Sequence, residues 1–224
     1  MSHYEIEIKS LLGSAENAAA LKAKLHETDP ECRKIGESAQ LNHYFTGGDV
    51  QQLYKNTHHL FTGEQHQKFE RVIKEGTDFS IRSRQKDGQV LLVIKASLDE
   101  GSSANSVSRM EFEEPVDLTL DELDQLLLES GFTYQAKWSR EREEFSYGDT
   151  TVCLDKNAGY GYLAEFERVV DDEVDVATAR AELVEQMRAL GAEELPQDRL
   201  ERMFAFYNEN WPDYYGTDKT FVIE

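Results

Sequence analysis

Charged residues recur at every second position in several short segments of the chain. Glu5, Glu7 and Lys9 alternate with isoleucines, and residues two apart on a β-strand share one face. The same spacing recurs in Arg82-Ser83-Arg84, Arg109-Met110-Glu111-Phe112-Glu113, Arg140-Glu141-Arg142 and Glu165-Phe166-Glu167, while Lys95 ends the apolar segment Leu91–Ile94. Each segment alone is typical of a half-exposed strand. Together they predict several strands whose charged faces belong to one site.

These segments carry both positive and negative charges, and this limits the kinds of ligand that the site could bind. If the sheet closes on itself, the charges face a lumen and must pair with each other, with a metal or with a charged ligand, because unpaired buried charges are costly. Carboxylate oxygens suit Mg²⁺ or Mn²⁺, and guanidinium groups match phosphate oxygens. A metal opposite basic groups is the arrangement that phosphoryl chemistry needs.

The elements that position these residues are mostly strands. β-Branched or aromatic segments bounded by turn residues predict strands at Tyr4–Lys9, Leu41–Thr46, Asp78–Arg84, Gln89–Lys95, Ser108–Pro115, Tyr134–Phe145, Thr150–Leu154 and Tyr162–Val169. Asp87-Gly88 predicts a tight hairpin turn. Helices are predicted at Ala15–Glu27 after Ser14, at Leu120–Ser130 after a Thr119–Glu122 capping box, at Ala177–Leu190 and at Asp198–Glu209.

The remaining stretches are predicted to be loops or turns. Gly47–Gly76 and Asp99–Ser106 are interpreted as loops, the first with short helical turns. Asp155 is either close to a metal or in a turn, and the following Lys156-Asn157 favours the turn. One α+β domain is predicted over residues 1–209, followed by a tail over 210–224.

Composition excludes some classes of function. The chain has 224 residues and a net charge of −20, which argues against a nucleic-acid partner and against docking on anionic membrane. The amino terminus has no signal-peptide pattern, and no apolar stretch is long enough to span a bilayer. Cys32 and Cys153 form no CxxC motif, so a reducing cytoplasm is the expected compartment.

The charged motifs occur in an order that resembles one known family. Glu5-x-Glu7-x-Lys9 resembles the ExExK signature of the CYTH superfamily, the triphosphate tunnel metalloenzymes. The resemblance continues through Asn42-His43-Tyr44-Phe45, Phe79–Arg84, Ile94-Lys95-Ala96, Arg109-x-Glu111-x-Glu113, Arg140-x-Arg142, Cys153-Leu154-Asp155 and Leu163–Glu167, and it covers about residues 4 to 207. Asn42 stands where the family pattern has an aspartate.

The resemblance implies a fold and a set of roles. The fold is α+β, an eight-stranded antiparallel β-barrel that forms a triphosphate tunnel, with flanking helices. The implied metal ligands for Mg²⁺ or Mn²⁺ are Glu5, Glu7, Glu111, Glu113, Glu165 and Glu167. The implied phosphate-binding residues are Lys9, Arg82, Arg84, Lys95, Arg109, Arg140 and Arg142. Lys9, Glu5 and Glu7 are implied to be catalytic, with Lys9 orienting phosphate or the attacking water.

The leading hypothesis is therefore a metal-dependent hydrolase of inorganic tripolyphosphate or an organic triphosphate. One alternative is a class IV adenylyl cyclase, which converts ATP to cyclic AMP and diphosphate. Another is a barrel that binds polyphosphate or a nucleotide without catalysis, although pure anion binding does not need so many carboxylates. The expected partner is a small triphosphate, with neither nucleic acid nor membrane, and the chain is expected to be a monomer or a homodimer.

Overall fold

The computed structural model describes residues 3–97, 109–171 and 176–223, without the side chains of residues 3–5, 109 and 171. The described residues form eight strands and six α-helices. The strands are β1 (His3–Gly13), β2 (Arg33–Gly47), β3 (Thr77–Lys86), β4 (Gln89–Ser97), β5 (Arg109–Val116), β6 (Phe132–Tyr147), β7 (Thr150–Asn157) and β8 (Gly161–Asp171). The helices are α1 (Ala15–Thr28), α2 (Val50–Thr57), α3 (Gly63–Glu75), α4 (Leu120–Glu129), α5 (Val176–Ala189) and α6 (Gln197–Asn210).

The strands belong to one sheet in the order β1-β8-β7-β6-β2-β3-β4-β5. The pairs β1–β8, β2–β3, β3–β4, β4–β5, β6–β7 and β7–β8 are antiparallel. The predicted eight-stranded antiparallel α+β architecture with flanking helices is confirmed. Among the described residues, the hydrogen-bonded order begins at β1 and ends at β5. None of the helices in the described ranges combines the length and the apolar character needed to cross a bilayer.

The chain divides into two compact units. The first unit comprises Met1–Ala39 and Ser139–Glu224, and the second comprises Gln40–Trp138. The strands β2 and β6 each run through both ranges, so each unit contains a part of both.

The first unit has its apolar core on one face of β1, β8, β7 and the second half of β6. Ile8 lies opposite Phe166, which in turn lies opposite Val152 on β7. These side chains are buried with Leu25 of α1 and Leu183 of α5. Because side chains alternate along a strand, the residues between them are on the other face of the sheet. The alternation predicted for Glu5–Lys9 is confirmed in the burial of Ile6 and Ile8.

The predicted tail makes specific contacts within the first unit. A short 3₁₀ turn covers Trp211–Asp213, and the Phe221 amide donates to the Gly159 carbonyl at 2.9 Å. The Phe221 ring lies 5.2 Å from the ring of Tyr160. The terminal residues therefore pack against the turn between β7 and β8.

The second unit has a separate apolar core under helices α2, α3 and α4. Ile81, Ile94 and Phe112 are paired in register across β3, β4 and β5, and all three are buried. The hairpin turn between β3 and β4 is the predicted one, with positive φ angles at both Asp87 and Gly88, as a type I′ turn requires.

Helix α4 begins at the capping box predicted from the sequence. The Thr119 hydroxyl accepts from the Glu122 amide, and the Glu122 carboxylate accepts from the Thr119 amide at 2.8 Å. The helix buries Leu123 and Leu127 in the core of the second unit.

The interpretation of Gly47–Gly76 as a loop was wrong. The segment contains helices α2 and α3 with a 3₁₀ turn at His58–Leu60 between them. Asp49 caps α2, because its carboxylate accepts from the Gln51 amide at 2.8 Å. Leu53, Phe69 and Val72 pack into the core of the second unit. The other predicted loop, Asp99–Ser106, lies outside the described residues.

Candidate functional site

The first unit brings several of the predicted charged residues together on one sheet face. In the β1–β8 ladder, Glu7 lies opposite Glu167 and Lys9 lies opposite Glu165. Arg142 of β6 lies opposite Asp155 of β7 on the same face. This juxtaposition follows from the register and from the alternation of side chains along each strand.

Three carboxylates of this face are close enough to share a metal ion. Glu7, Glu165 and Glu167 each offer one oxygen, and these oxygens all lie within 4.8 Å of one another. In the part of the chain that the structure describes, this is the one group of three or more potential ligands that meets that distance. Hard carboxylate oxygens fit Mg²⁺ or Mn²⁺ better than a thiophilic metal.

Each member of this carboxylate cluster is also close to a cation. Lys9 contacts the Glu7 carboxylate and lies 3.1 Å from Glu165. Arg142 donates to Glu165 and lies 3.6 Å from Glu167. Lys9 and Arg142 therefore offset part of the negative charge of the three carboxylates.

These cations control the protonation of Glu165. Burial by itself would raise its pKa, but the charges of Lys9, Arg142 and Arg140 and the hydrogen bond from Arg142 outweigh burial. The net result is a pKa below the ordinary glutamate value, so Glu165 is ionised at neutral pH and available as a ligand.

Asp155 also belongs to this charged face. It lies on β7 and is fully buried, so the prediction of a turn from Lys156-Asn157 was wrong. Arg142 binds it through two hydrogen bonds, Nε to Oδ1 and Nη2 to Oδ2, each 2.7 Å. Arg140 Nη1 adds a third contact at 3.2 Å. The signal for this position in the sequence was the resemblance of Cys153-Leu154-Asp155 to the family pattern.

The bidentate pair raises the pKa of Arg142 above the ordinary arginine value. Burial opposes this shift, but the hydrogen bonds to Asp155 and the charges of Glu165 and Asp155 outweigh it. The guanidinium is permanently charged, and its contacts with Asp155, Glu165 and Glu167 fix the positions of those carboxylates.

The second unit carries its own charged face. Arg84 of β3 donates from Nε to the Asn42 side-chain oxygen at 2.7 Å and from Nη1 to Glu113 at 2.7 Å. Lys95 of β4 lies 3.1 Å from its register partner Glu111. Asn42, which replaces the aspartate of the family pattern, therefore acts here as an acceptor for an arginine.

Arg82 is different from its neighbours on this face. Its guanidinium lies 4.5 Å from the centre of the Tyr44 ring, and no carboxylate of the described side chains lies within ion-pair distance. Its buried Nε has no hydrogen-bond partner within the described structure. A buried donor without a partner is costly. The Arg82 side chain is half-buried, so its guanidinium group is suited to bind an anionic oxygen.

Two predicted site residues can be placed by their backbone only. Glu5 lies opposite Val169 in the β1–β8 ladder, and Arg109 lies opposite Ser97 in the β4–β5 ladder. Their side chains lie outside the described structure, so their predicted roles stay predictions.

Comparison with known proteins identifies the family. A model described as the CYTH domain matches residues 65–199. Because this match covers more than half of the chain, the chain belongs to the CYTH domain family. The matched range includes β3 to β8 but not Glu5-x-Glu7-x-Lys9, which the structure places beside Glu165 and Glu167. No curated protein matches the chain.

Solved structures with a similar fold support the same architecture. A putative adenylate cyclase from Vibrio parahaemolyticus has a TM-score of 0.55 at 17% identity and covers 92% of this chain and 99% of its own. A conserved hypothetical protein from Pyrococcus furiosus also has a TM-score of 0.55 at 17% identity, covering 87% of this chain and 93% of its own.

A third structure is a putative adenylyl cyclase from Hippeastrum, described as having a dominant triphosphatase activity. Its TM-score is 0.51 at 16% identity, and it covers 91% of this chain and 96% of its own. At these identities, the three likenesses show a common fold and leave the reaction of this chain to its own residues.

Proposed function

We propose that this protein is a divalent-metal-dependent hydrolase of triphosphates, either inorganic tripolyphosphate or an organic triphosphate. The observation that supports the proposal is the carboxylate cluster of Glu7, Glu165 and Glu167, with oxygens within 4.8 Å of one another and with Lys9 and Arg142 beside it. Family membership agrees with it, and the putative adenylyl cyclase from Hippeastrum is described as having a dominant triphosphatase activity.

The cluster would hold Mg²⁺ or Mn²⁺ through Glu7, Glu165 and Glu167, and Glu5, Glu111 and Glu113 remain proposed ligands. A bound divalent ion would supply positive charge to the phosphate oxygens of the substrate. Lys9 is proposed to orient a phosphate or the attacking water. Its contacts with Glu7 and Glu165 hold the ammonium group at the edge of the cluster.

The basic residues are proposed to bind the phosphates. Arg82 is the strongest candidate in the second unit, because no carboxylate of the described side chains pairs with its guanidinium, whereas Arg84 and Lys95 are each paired with a glutamate. In the first unit, Arg142 has a second role, since it also holds Asp155 and Glu165 in place. The other proposed phosphate ligands are Arg84, Lys95, Arg109 and Arg140.

Hydrolysis would proceed by attack of water on the terminal phosphorus. With tripolyphosphate as substrate, the bond between the terminal phosphorus and the bridging oxygen breaks, and orthophosphate and diphosphate result. Such reactions depend mainly on positioning and on charge stabilisation, which clustered fixed charges provide without a protein nucleophile.

A substrate panel tests the proposal directly. The purified protein is incubated with Mg²⁺ or Mn²⁺ and with tripolyphosphate, thiamine triphosphate or ATP, and the products are followed by phosphorus NMR. Orthophosphate from any of these substrates supports the hydrolase. Cyclic AMP and diphosphate from ATP would establish a cyclase instead, and no turnover with any substrate would favour a binding protein.

A double substitution tests the carboxylate cluster. Glu7→Gln with Glu167→Gln removes two ligands and two charges, and we expect it to abolish turnover and to leave the fold intact. The matched control is Glu182→Gln with Glu185→Gln, which removes the same charge from the exposed surface of α5. Full activity of the first variant would reject the metal assignment.

A further inference from the structure

A buried polar network lies behind the charged face of the second unit. At its centre is Asp124 of α4, of which 2% is exposed. Its carboxylate accepts from His43 Nδ1 at 2.7 Å, from the Tyr134 hydroxyl at 2.7 Å and from the Ser83 hydroxyl. Lys137 Nζ lies 3.7 Å away. One helix residue thus binds β2, β3 and the first part of β6.

The network alternates with the residues of the charged face. His43 lies opposite Ser83 in the β2–β3 ladder. The neighbouring pairs are Asn42 opposite Arg84 and Tyr44 opposite Arg82. Successive side chains of a strand point to opposite faces of the sheet. Asp124 therefore contacts the face of β2 and β3 opposite to the one that carries Arg82 and Arg84.

This arrangement makes one register of β2 on β3 much more favourable than its alternatives. A slip of one residue moves every side chain of a strand to the other face. It would remove the Ser83 hydroxyl from Asp124 and turn a neighbouring arginine towards the apolar core under α4. Leaving a buried carboxylate without its donors is costly, so the network and the position of the arginines are coupled.

The network is not a hydrolytic triad, although it contains serine, histidine and aspartate. The Ser83 hydroxyl donates to Asp124 and not to His43, so no base activates the serine oxygen. Ser83 and His43 are 0% and 2% exposed, so a substrate cannot reach them.

Asp124 is ionised in this environment. Burial by itself raises its pKa, but hydrogen bonds from His43, Ser83 and Tyr134 outweigh burial, and the net pKa lies below the ordinary aspartate value. An ionised carboxylate can accept from all of these donors at once.

We propose that Asp124 is a positioning residue that fixes the register of β2 on β3, so that Arg82 and Arg84 face the phosphates of the substrate. Only the identity of the ligand rests on the proposed function. The register itself is a property of the protein without ligand, and it can be tested separately.

The test compares Asp124→Asn with the wild-type protein by two measurements. The first is the Nε–H signal of Arg84 in a ¹⁵N-labelled sample without ligand, assigned by its loss in Arg84→Lys. The second is the affinity for tripolyphosphate in EDTA, measured by calorimetry. We expect the Arg84 signal to shift and lose its protection, because its bond to Asn42 depends on the register. We expect the affinity to fall by about 10- to 100-fold, the value of one lost charged hydrogen bond.

The matched control is Ser130→Ala, at the C-cap of the same helix. Ser130 is buried, donates to the Leu126 carbonyl at 2.7 Å and accepts from Asn56 at 2.9 Å. The control therefore loses buried hydrogen bonds of the second unit without touching the network, and we expect a wild-type Arg84 signal and affinity. Equal effects of both substitutions would show general loosening and would overturn the proposal.

Tyr134→Phe provides a milder variant in case Asp124→Asn does not fold. It removes one donor to Asp124 and retains the ring, so a smaller shift of the Arg84 signal supports the proposal. An unchanged signal in every folded network variant would overturn it. If the wild-type protein does not bind tripolyphosphate, the proposed function fails, whereas the Arg84 signal still decides the role of Asp124.

Discussion

Asp155 provides a quantitative test of how the first unit holds its buried charges. Its side chain is 1% exposed and accepts two hydrogen bonds of 2.7 Å from Arg142 and a contact of 3.2 Å from Arg140. Asp155→Asn keeps the shape and removes the charge. Breaking a buried ion pair by removing one partner costs about 3 to 5 kcal/mol. Because Arg142 retains Glu165, we expect about 3 kcal/mol, the low end of that range.

The assay is urea unfolding at neutral pH, and thermal unfolding is a second measure. For a chain of this length, each kcal/mol corresponds to about 2 to 4 °C, so the midpoint should fall by about 6 to 12 °C. The matched control is Asp218→Asn, which breaks the ion pair with Lys156 at 2.8 Å on the surface of the same unit. Asp218 is 87% exposed, and such pairs contribute little because water screens them.

The reasoning is refuted if the two substitutions have equal effects on the free energy of unfolding. It is also refuted if Asp155→Asn is stabilising, because the desolvation of the buried ion pair would then cost more free energy than the attraction between its charges contributes. A large loss for Asp155→Asn alone would establish that this carboxylate supports the charged face.

Three further predictions follow from the second unit. Arg82→Met should weaken tripolyphosphate binding by about tenfold or more in calorimetry, as expected for a lost charged contact, without lowering the free energy of unfolding; an unchanged affinity would remove Arg82 from the proposed phosphate ligands. Thr119→Ala should lower the unfolding free energy by about 1 kcal/mol in urea, because it removes half of the capping box of α4, and no loss would show that the cap is not needed. Burial raises the pKa of Asp124, but the hydrogen bonds to its carboxylate hold the folded-state pKa below the ordinary aspartate value. The ionised carboxylate therefore contributes stability above the ordinary pKa, and this contribution is lost as the pH falls through the folded-state pKa. In the wild-type protein, His43 and Lys137 face this carboxylate. As the pH is lowered from about 5 to about 2, the free energy of unfolding in urea should therefore fall less for Asp124→Asn than for the wild-type protein. Parallel pH profiles of the two proteins would contradict this.

The sequence determined the type and order of most elements because their signals are local. β-Branched and aromatic segments bounded by turn residues predicted all eight strands, although β2, for example, begins eight residues before Leu41. The capping residues Ser14 and Thr119 placed the starts of α1 and α4 correctly. The segment Gly47–Gly76 was misjudged because its histidines, glycines and polar residues concealed two amphipathic helices whose few apolar residues pack into a core.

The tertiary structure decided which charges meet. The two-residue spacing of Glu5-x-Glu7-x-Lys9 and Glu165-x-Glu167 specifies a face for each pair, but only the β1–β8 register brings Glu7 to Glu167 and Lys9 to Glu165. The same is true of Asp155, whose burial and double contact with Arg142 depend on the pairing of β6 with β7. The role of Asp124 could not be predicted from the sequence, because it is one of several acidic residues on the helix predicted over Leu120–Ser130. The physical reason is common to all of them: strand alternation is encoded by neighbouring residues, whereas a charge pair or a buried network is created by residues far apart in the chain, and only folding brings those residues within hydrogen-bond distance.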